Sequence, residues 1–217
     1  MHLGIVSIET IRLSLGTAQI EIIRLLPGII LSVQTGLEGI ENTTTTTGSN
    51  MRVTDKYVYF WGEAPFTNFT SCPNLTYLGL EWKSTEQLFM WLKAVEFKDY
   101  QKAQEIRQTA SPKAAKKLGR QVKNFDAEHW SKVSCDYMKK IVDIKFRSNP
   151  RFMKTLLNVA WLNKTFVEAS PFDRVWGIGY DEKLAELNWN WGENRLGKIL
   201  TELRDQYVKE LQQVKLE

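Results

Sequence analysis

With 217 residues, of which 43% are apolar and 25% charged, the chain is long enough for one globular domain with a full core and lacks the composition of a disordered or fibrous protein. Its two cysteines (Cys72, Cys135) and two histidines (His2, His129) form no CxxC or Cys/His cluster, which argues against a disulfide scaffold or structural zinc and fits reduced thiols in a cytoplasmic protein. The net charge of +4 is unevenly spread: residues 1–50 hold Arg12 and Arg24 against Glu9, Glu21, Glu38 and Glu41, so the remainder carries the basic excess, which suits an anionic ligand or a plain basic surface and falls far short of a polybasic nucleic-acid tail.

The opening stretch, MHLGIVSIETIRLSLG, has no basic start, and Glu9 and Arg12 interrupt its apolar residues, so it does not fit a signal peptide. The run IIRLLPGIILSV contains Arg24 and Pro27 and is too short to span a bilayer, so the chain is expected to be soluble, with no membrane partner. Residues 20–33 predict a short strand pair or a helix around Pro27-Gly28. The tract ENTTTTTGSN, residues 41–50, cannot bury apolar surface and is expected to be a linker, giving an N-terminal appendage over 1–50 and one domain over 51–217.

Beyond the linker, KYVYFWG (56–62) is β-branched and aromatic and predicts a strand, and LTYLGLEW (75–82) predicts a second strand or hairpin arm. Ser84 with Gln87 forms a capping box that starts a helix at residue 84. Further helices are predicted over 99–109, over 112–119 behind Ser111-Pro112, from near Asp126 to Phe146, over 150–158 and over 194–213. LNKTFVEAS (162–170) predicts a strand running into a loop, and DRVWGIGY (173–180) is irregular. Many helices with scattered short strands and no βαβ alternation indicate an α+β fold, predominantly helical.

Chemistry is suggested first by the helix from residue 84. Leu88, Trp91, Leu92 and Val95 make its obvious core face. Glu86 and Lys93 lie nearly opposite, within roughly 20° of each other and about 10 Å apart along the axis. On an ordinary helix both would face water. Here Phe89, Met90 and Phe97 flank them, which points to an enclosed helix whose charges need partners or a ligand. Glu86 in the first turn is expected to be favoured as the anion, and Lys93, in partly apolar surroundings, to have a depressed pKa. A second cluster is EASPFDRVWGIG (168–179), where Asp173 is either a turn residue satisfying local amides or a site carboxylate beside Trp176, and where Gly-Ile-Gly permits close backbone approach. Its GxG follows no Rossmann pattern. In WGENRLG (191–197) Asn194 is placed to cap the last helix. Arg107, Arg120 and Lys145 are candidate anion contacts, although for each taken alone a surface cation is the simpler reading.

In order along the chain, Phe66 to Phe69, Trp82 to Lys93, Arg107, Ser111-Pro112, Gly119-Arg120, Trp130, Met138, Lys145-Phe146, Leu156-Leu157, Glu168, Asp173, Trp176 to Gly179, Asn194 and Leu196-Gly197 resemble the YbiA-like N-glycosidase family, also called the NADAR superfamily. The resemblance covers about residues 57–208. It implies a single YbiA-like (NADAR) domain with small β elements, and an enzyme that hydrolyses ribosyl C–N bonds, either in phosphoribosylated intermediates of riboflavin biosynthesis or in ADP-ribosylated guanine of DNA or RNA. It further implies Glu86, Lys93 and Asp173 as catalytic residues. Glu86 would stabilise an oxocarbenium-like state or activate water; Lys93 would protonate the departing base or trap the opened sugar as a Schiff base; Asp173 would hold ribose hydroxyls or the water. Substrate-binding positions are implied at Asn68, Phe69, Lys83, Ser84, Trp130, Gly177 and Asn194, with Trp176 stacking and Arg107, Arg120 and Lys145 taking phosphate; no cofactor or metal is implied. The family often has His after the helix-start Glu, where this chain has Gln87, which removes an imidazole proton shuttle at that place. A binding module that retains an ADP-ribose or nucleotide pocket without turnover, and a structural protein using its eight Trp residues only for packing, are the competing expectations.

Overall fold

A computed structural model describes residues 51–213 in full and, ahead of them, the backbone of three strands, β1 (Ile8–Leu15), β2 (Ala18–Leu25) and β3 (Gly28–Val33). These pair antiparallel in the order β1-β2-β3, so of the two forms expected for residues 20–33 the strand pair is found. Pro27 and the expected linker at 41–50 lie outside the described residues.

The domain is organised around a second three-stranded sheet of β4 (Met51–Val53), β5 (Tyr57–Phe60) and β8 (Thr165–Glu168), in the order β4-β5-β8. β4 runs antiparallel to β5, and β8 runs parallel to it, with Tyr57 opposite Thr165 and Phe60 opposite Glu168. Alternation along these strands sends Val58, Phe60 and Phe166 into the main core and Tyr59 and Val167 to a smaller cluster with Ile178 and Ala185. Between β5 and β8 come a hairpin, β6 (Leu75–Tyr77) and β7 (Leu80–Trp82), and five helices: α1 (Thr85–Glu96), α2 (Tyr100–Gln108), α3 (Pro112–Gly119), α4 (Ala127–Arg147) and α5 (Pro150–Leu156). The long α6 (Arg195–Gln213) closes the chain against β8 and α4.

Local chemistry sets the helix starts. Ser84 Oγ accepts from the Gln87 N–H (3.2 Å), Asp99 Oδ1 from Lys102 (3.1 Å), Ser111 Oγ from Ala114 (3.3 Å), and Asp126 Oδ1 from Glu128 and His129 (2.9 and 3.0 Å). Around α1 the core closes on both sides: Leu88 and Leu92 face inward as the periodicity requires, and Phe89 and Phe97 are buried as well. Among the described residues no helix is long and apolar enough to cross a membrane.

Candidate active site

The loop at residues 66–69 holds the start of α1. The Asn68 carbonyl accepts from the Glu86 N–H (3.0 Å) and from Thr85 Oγ1 (3.2 Å), and Asn68 Oδ1 accepts from Thr85 Oγ1 (3.0 Å), so free amide and hydroxyl donors of the first turn are consumed by the loop. Lys145 fixes the same loop from below, its buried ammonium donating to the Thr67 carbonyl at 2.7 Å. Glu86 is thereby held facing inward and is only 5% exposed.

Helix α3 comes close to α1 at Gly119, where any Cβ would collide with the Met90 side chain. The close approach brings Lys116 and Arg120 near enough to act on the Glu86 carboxyl through their charges. Opposite, Asp173 sits in a tight turn, its Oδ1 accepting from the Val175 and Trp176 N–H groups (both 2.9 Å), while its Oδ2 lies 3.9 Å from Lys116 Nζ. One oxygen thus builds the expected turn and the other faces a cation.

An aromatic wall continues from Glu86 along α1. Phe89 packs against Trp130 and, edge to face, against Trp176, both with ring centroids at 5.2 Å. Lys93 Nζ lies 3.9 Å above the Phe125 ring, and Phe97 meets Phe125 edge-on at 5.2 Å. Phe69 lies beneath Lys116, 5.5 Å from its Nζ to the ring centre. Flat rings with a carboxyl at one end, cations beside it and an amine at the other end suit a base and sugar carrying phosphate.

Electrostatics corrects one expectation. Burial pushes the Glu86 carboxyl up to about 7, against the smaller opposing pull of Lys116, with Asp173 raising it further and Arg120 lowering it. Desolvation thus outweighs the helix dipole, which alone would favour the anion. Lys93 is depressed by burial, as expected.

Several expected ligand contacts also make contacts within the fold. Arg107 lies over Trp82, 4.7 Å from the ring centre. Ser84 is buried as the helix cap, and the Lys83 N–H donates to Gln87 Oε1 (3.0 Å). Gln87, at the place where the family often has His, turns its amide nitrogen to the carbonyls of Ile106, Arg107 and Thr109 and so closes the end of α2. Asn194 does not use its side chain to cap α6. With φ at 52°, its Oδ1 accepts from the Glu168 N–H and its Nδ2 donates to the Phe166 carbonyl (both 3.0 Å), clamping β8. Gly177 allows close backbone approach, but of β8: a Cβ there would stand 2.7 Å from the Glu168 carbonyl oxygen. Lys145, spent on Thr67 and buried among Phe146 and Phe152, is depressed to about 8 by burial. The structure brings together Glu86, Asp173, Arg120, Phe69, Trp130 and Trp176, with Lys93 farther along the wall.

Two residues of the site carried no assigned role in the sequence. Lys116 is hidden in KAAKK, which resembles an ordinary solvated run, and only the register of α3 singles it out. Glu168 ends an otherwise apolar strand; burial pushes it up to about 8, Asp173 and Glu86 raise it further and Lys116 opposes them. A charge at the end of an apolar strand was the available signal. Among the described residues no group of three or more His, Cys, Asp or Glu is placed to hold a metal ion.

The two raised carboxyls fix a direction for pH dependence. Each binds its proton more tightly folded than unfolded, so their contribution to stability is complete below the ordinary value of 4.5 and is lost as pH rises toward about 7 and 8. The urea midpoint should therefore fall more steeply from pH 5 to pH 8 in the native chain than in Glu86→Gln. Equal slopes in the two proteins would contradict the burial of Glu86.

Residues 51–208 match the NADAR domain. N-glycosidase R617 of Acanthamoeba polyphaga mimivirus is 36% identical over 168 residues, covering 70% of this chain and 97% of that protein. N-glycosidase YbiA of Escherichia coli strain K12 is 32% identical over 145 residues, covering 67% of this chain and 82% of its own. The NMR structure of E. coli YbiA superposes with a TM-score of 0.60 at 28% identity, covering 77% of this chain and 92% of that one. The domain match over residues 51–208, two N-glycosidase relatives aligned along most of their own length and a shared α+β fold lead to one conclusion: the chain belongs to the NADAR-domain family of N-glycosidases.

Proposed function

We propose that the chain hydrolyses the bond between a ribosyl C1′ and a base nitrogen, in ADP-ribosylated guanine of nucleic acid or in a phosphoribosylated intermediate of riboflavin biosynthesis. The observation that carries this is Glu86, a buried carboxyl near neutrality beside two cations and a wall of rings. A module that only bound an anionic nucleotide would gain nothing from burying a carboxyl there, and burial is costly. A hydrolase uses it: C–N cleavage builds positive charge on the sugar, and a desolvated carboxylate stabilises that charge or deprotonates the attacking water. Lys116 and Arg120 take the phosphate. Asp173 holds ribose hydroxyls through the oxygen its turn leaves free, and Trp176 and Trp130 stack on base or sugar.

Lys93 lies far enough along the wall to meet the opened sugar aldehyde or the departing base. Borohydride added during turnover should fix a sugar adduct on Lys93 if a Schiff base forms, detected as a mass increase on the peptide holding Lys93 and absent in Lys93→Arg. No adduct under turnover excludes that route. The function itself is tested by product release from an ADP-ribosylated guanine oligonucleotide and from the ribosylamino-pyrimidine phosphate, side by side. Cleavage of one, dependent on Glu86, names the substrate; cleavage of neither, with ADP-ribose still bound, would leave a binding module.

A further inference from the structure

We infer that Glu168 is a second catalytic carboxyl, whose Oε2 delivers the proton that the departing base nitrogen takes up while Glu86 receives the proton of the attacking water. The inference rests on the hydrolase reading above.

The placement is structural before it is chemical. Glu168 is the last residue of β8, its N–H held by Asn194 Oδ1 (3.0 Å) and its carbonyl by the Ile178 N–H (3.0 Å), with Gly177 packed against that carbonyl. So tight a backbone fixes the position from which the side chain leaves the strand. Yet Oε2 is covered and has no hydrogen-bond partner within the protein, and two residues on, Ser170 Oγ is in the same condition. Buried polar atoms are nearly always paired, because an unpaired one costs roughly 1–3 kcal/mol. Two such atoms two residues apart on one chain segment, with Glu86 acting on the first of them, mark where polar atoms of a substrate complete the bonding.

The charged groups acting on Glu168 are Asp173, Lys116 and Glu86. Glu86, Glu168 and Asp173 around Lys116 cannot all be ionised cheaply, and Glu168, half-buried with its Oε2 covered, holds its proton most tightly. The step balances as hydrolysis. The C1′–N bond breaks and its electron pair goes to nitrogen, which takes the Glu168 proton; water oxygen bonds to C1′ and gives its proton to Glu86; the proton then returns to Glu168. Nothing is oxidised or reduced. Ser170 Oγ supplies a hydrogen bond to the sugar or base.

The test uses the full-length chain and Glu168→Gln, an uncharged isostere of the protonated acid that leaves the packing intact. With the cleaved substrate, kcat should fall by about 10²–10⁴-fold and the alkaline limb of the native pH profile should vanish, while KM and the thermal midpoint at pH 6 stay unchanged. Infrared difference spectra of the substrate-free protein should show a protonated carboxyl in the native chain at pH 6.5 that is missing in Glu168→Gln. Native-like turnover in Glu168→Gln, or lost turnover with the alkaline limb retained, or no protonated carboxyl assignable to Glu168, overturns the inference while the hydrolase reading stands. A native chain that cleaves neither substrate removes both.

Discussion

Replacing Glu86 by Gln should cut kcat by about 10²–10⁴-fold with little change in KM, measured by product release at pH 7. The amide keeps the size of the carboxyl, so the Asn68 contact to the Glu86 N–H and the packing of Phe89 are undisturbed. What disappears is the charge that the transition state needs and the ground state does not, and an interaction of that kind appears in kcat. The same substitution should also raise stability at pH 8, because a residue pushed up to about 7 by burial no longer has to ionise inside the fold. Loss of activity with gain of stability separates a functional carboxyl from a structural one; loss of both would mean Glu86 supports the fold.

Gly197→Ala should have the second large effect. A methyl group usually stabilises an exposed helix position relative to Gly by about 1 kcal/mol. At Gly197 it would press into the Phe166 carbonyl and come within 2.5 Å of Asn194 Oδ1, at the point where α6 passes directly over β8. Both obstacles are fixed, one by the sheet and one by its own two hydrogen bonds. The expected cost is about 1–3 kcal/mol, or a thermal midpoint lower by roughly 2–12 °C. Because Asn194 holds the Glu168 N–H, activity should fall beyond what the unfolded fraction explains. A neutral or higher midpoint would show that α6 can slide.

The sequence was most legible where the signal is local. Ser84, Asp99, Ser111 and Asp126 each had a capping residue type ahead of a helical pattern, and each of those four helices begins there. Burial of the Glu86 side of α1 was also readable, because Phe89, Met90 and Phe97 would otherwise have been left in water. What could not be read depended on partners distant in the chain. Asn194 has the right identity for a cap, yet a positive φ turns its side chain to β8. Lys145 resembles any lysine of a helix until Thr67 is placed against it. The protonation preference of Glu86 reversed because burial is a property of the assembled fold, whereas the helix dipole is visible in one helix.

The parallel pairing of β5 with β8 also bears on how the protein folds. Phe60 and Glu168 become neighbours only after a crossover containing five helices has closed, a long-range pairing that should form late. The helices, with their capped starts, should form from nearby residues first, with the strand carrying Glu168 docking afterwards. An intermediate with α1 to α4 in place would hold Glu86 and Lys116 but lack Asp173 and Glu168 in position, so binding competence and the final folding step should appear together. Amide protons of Val167 and Glu168 should accordingly exchange through the opening that undocks β8, faster than those buried in α1 and α4.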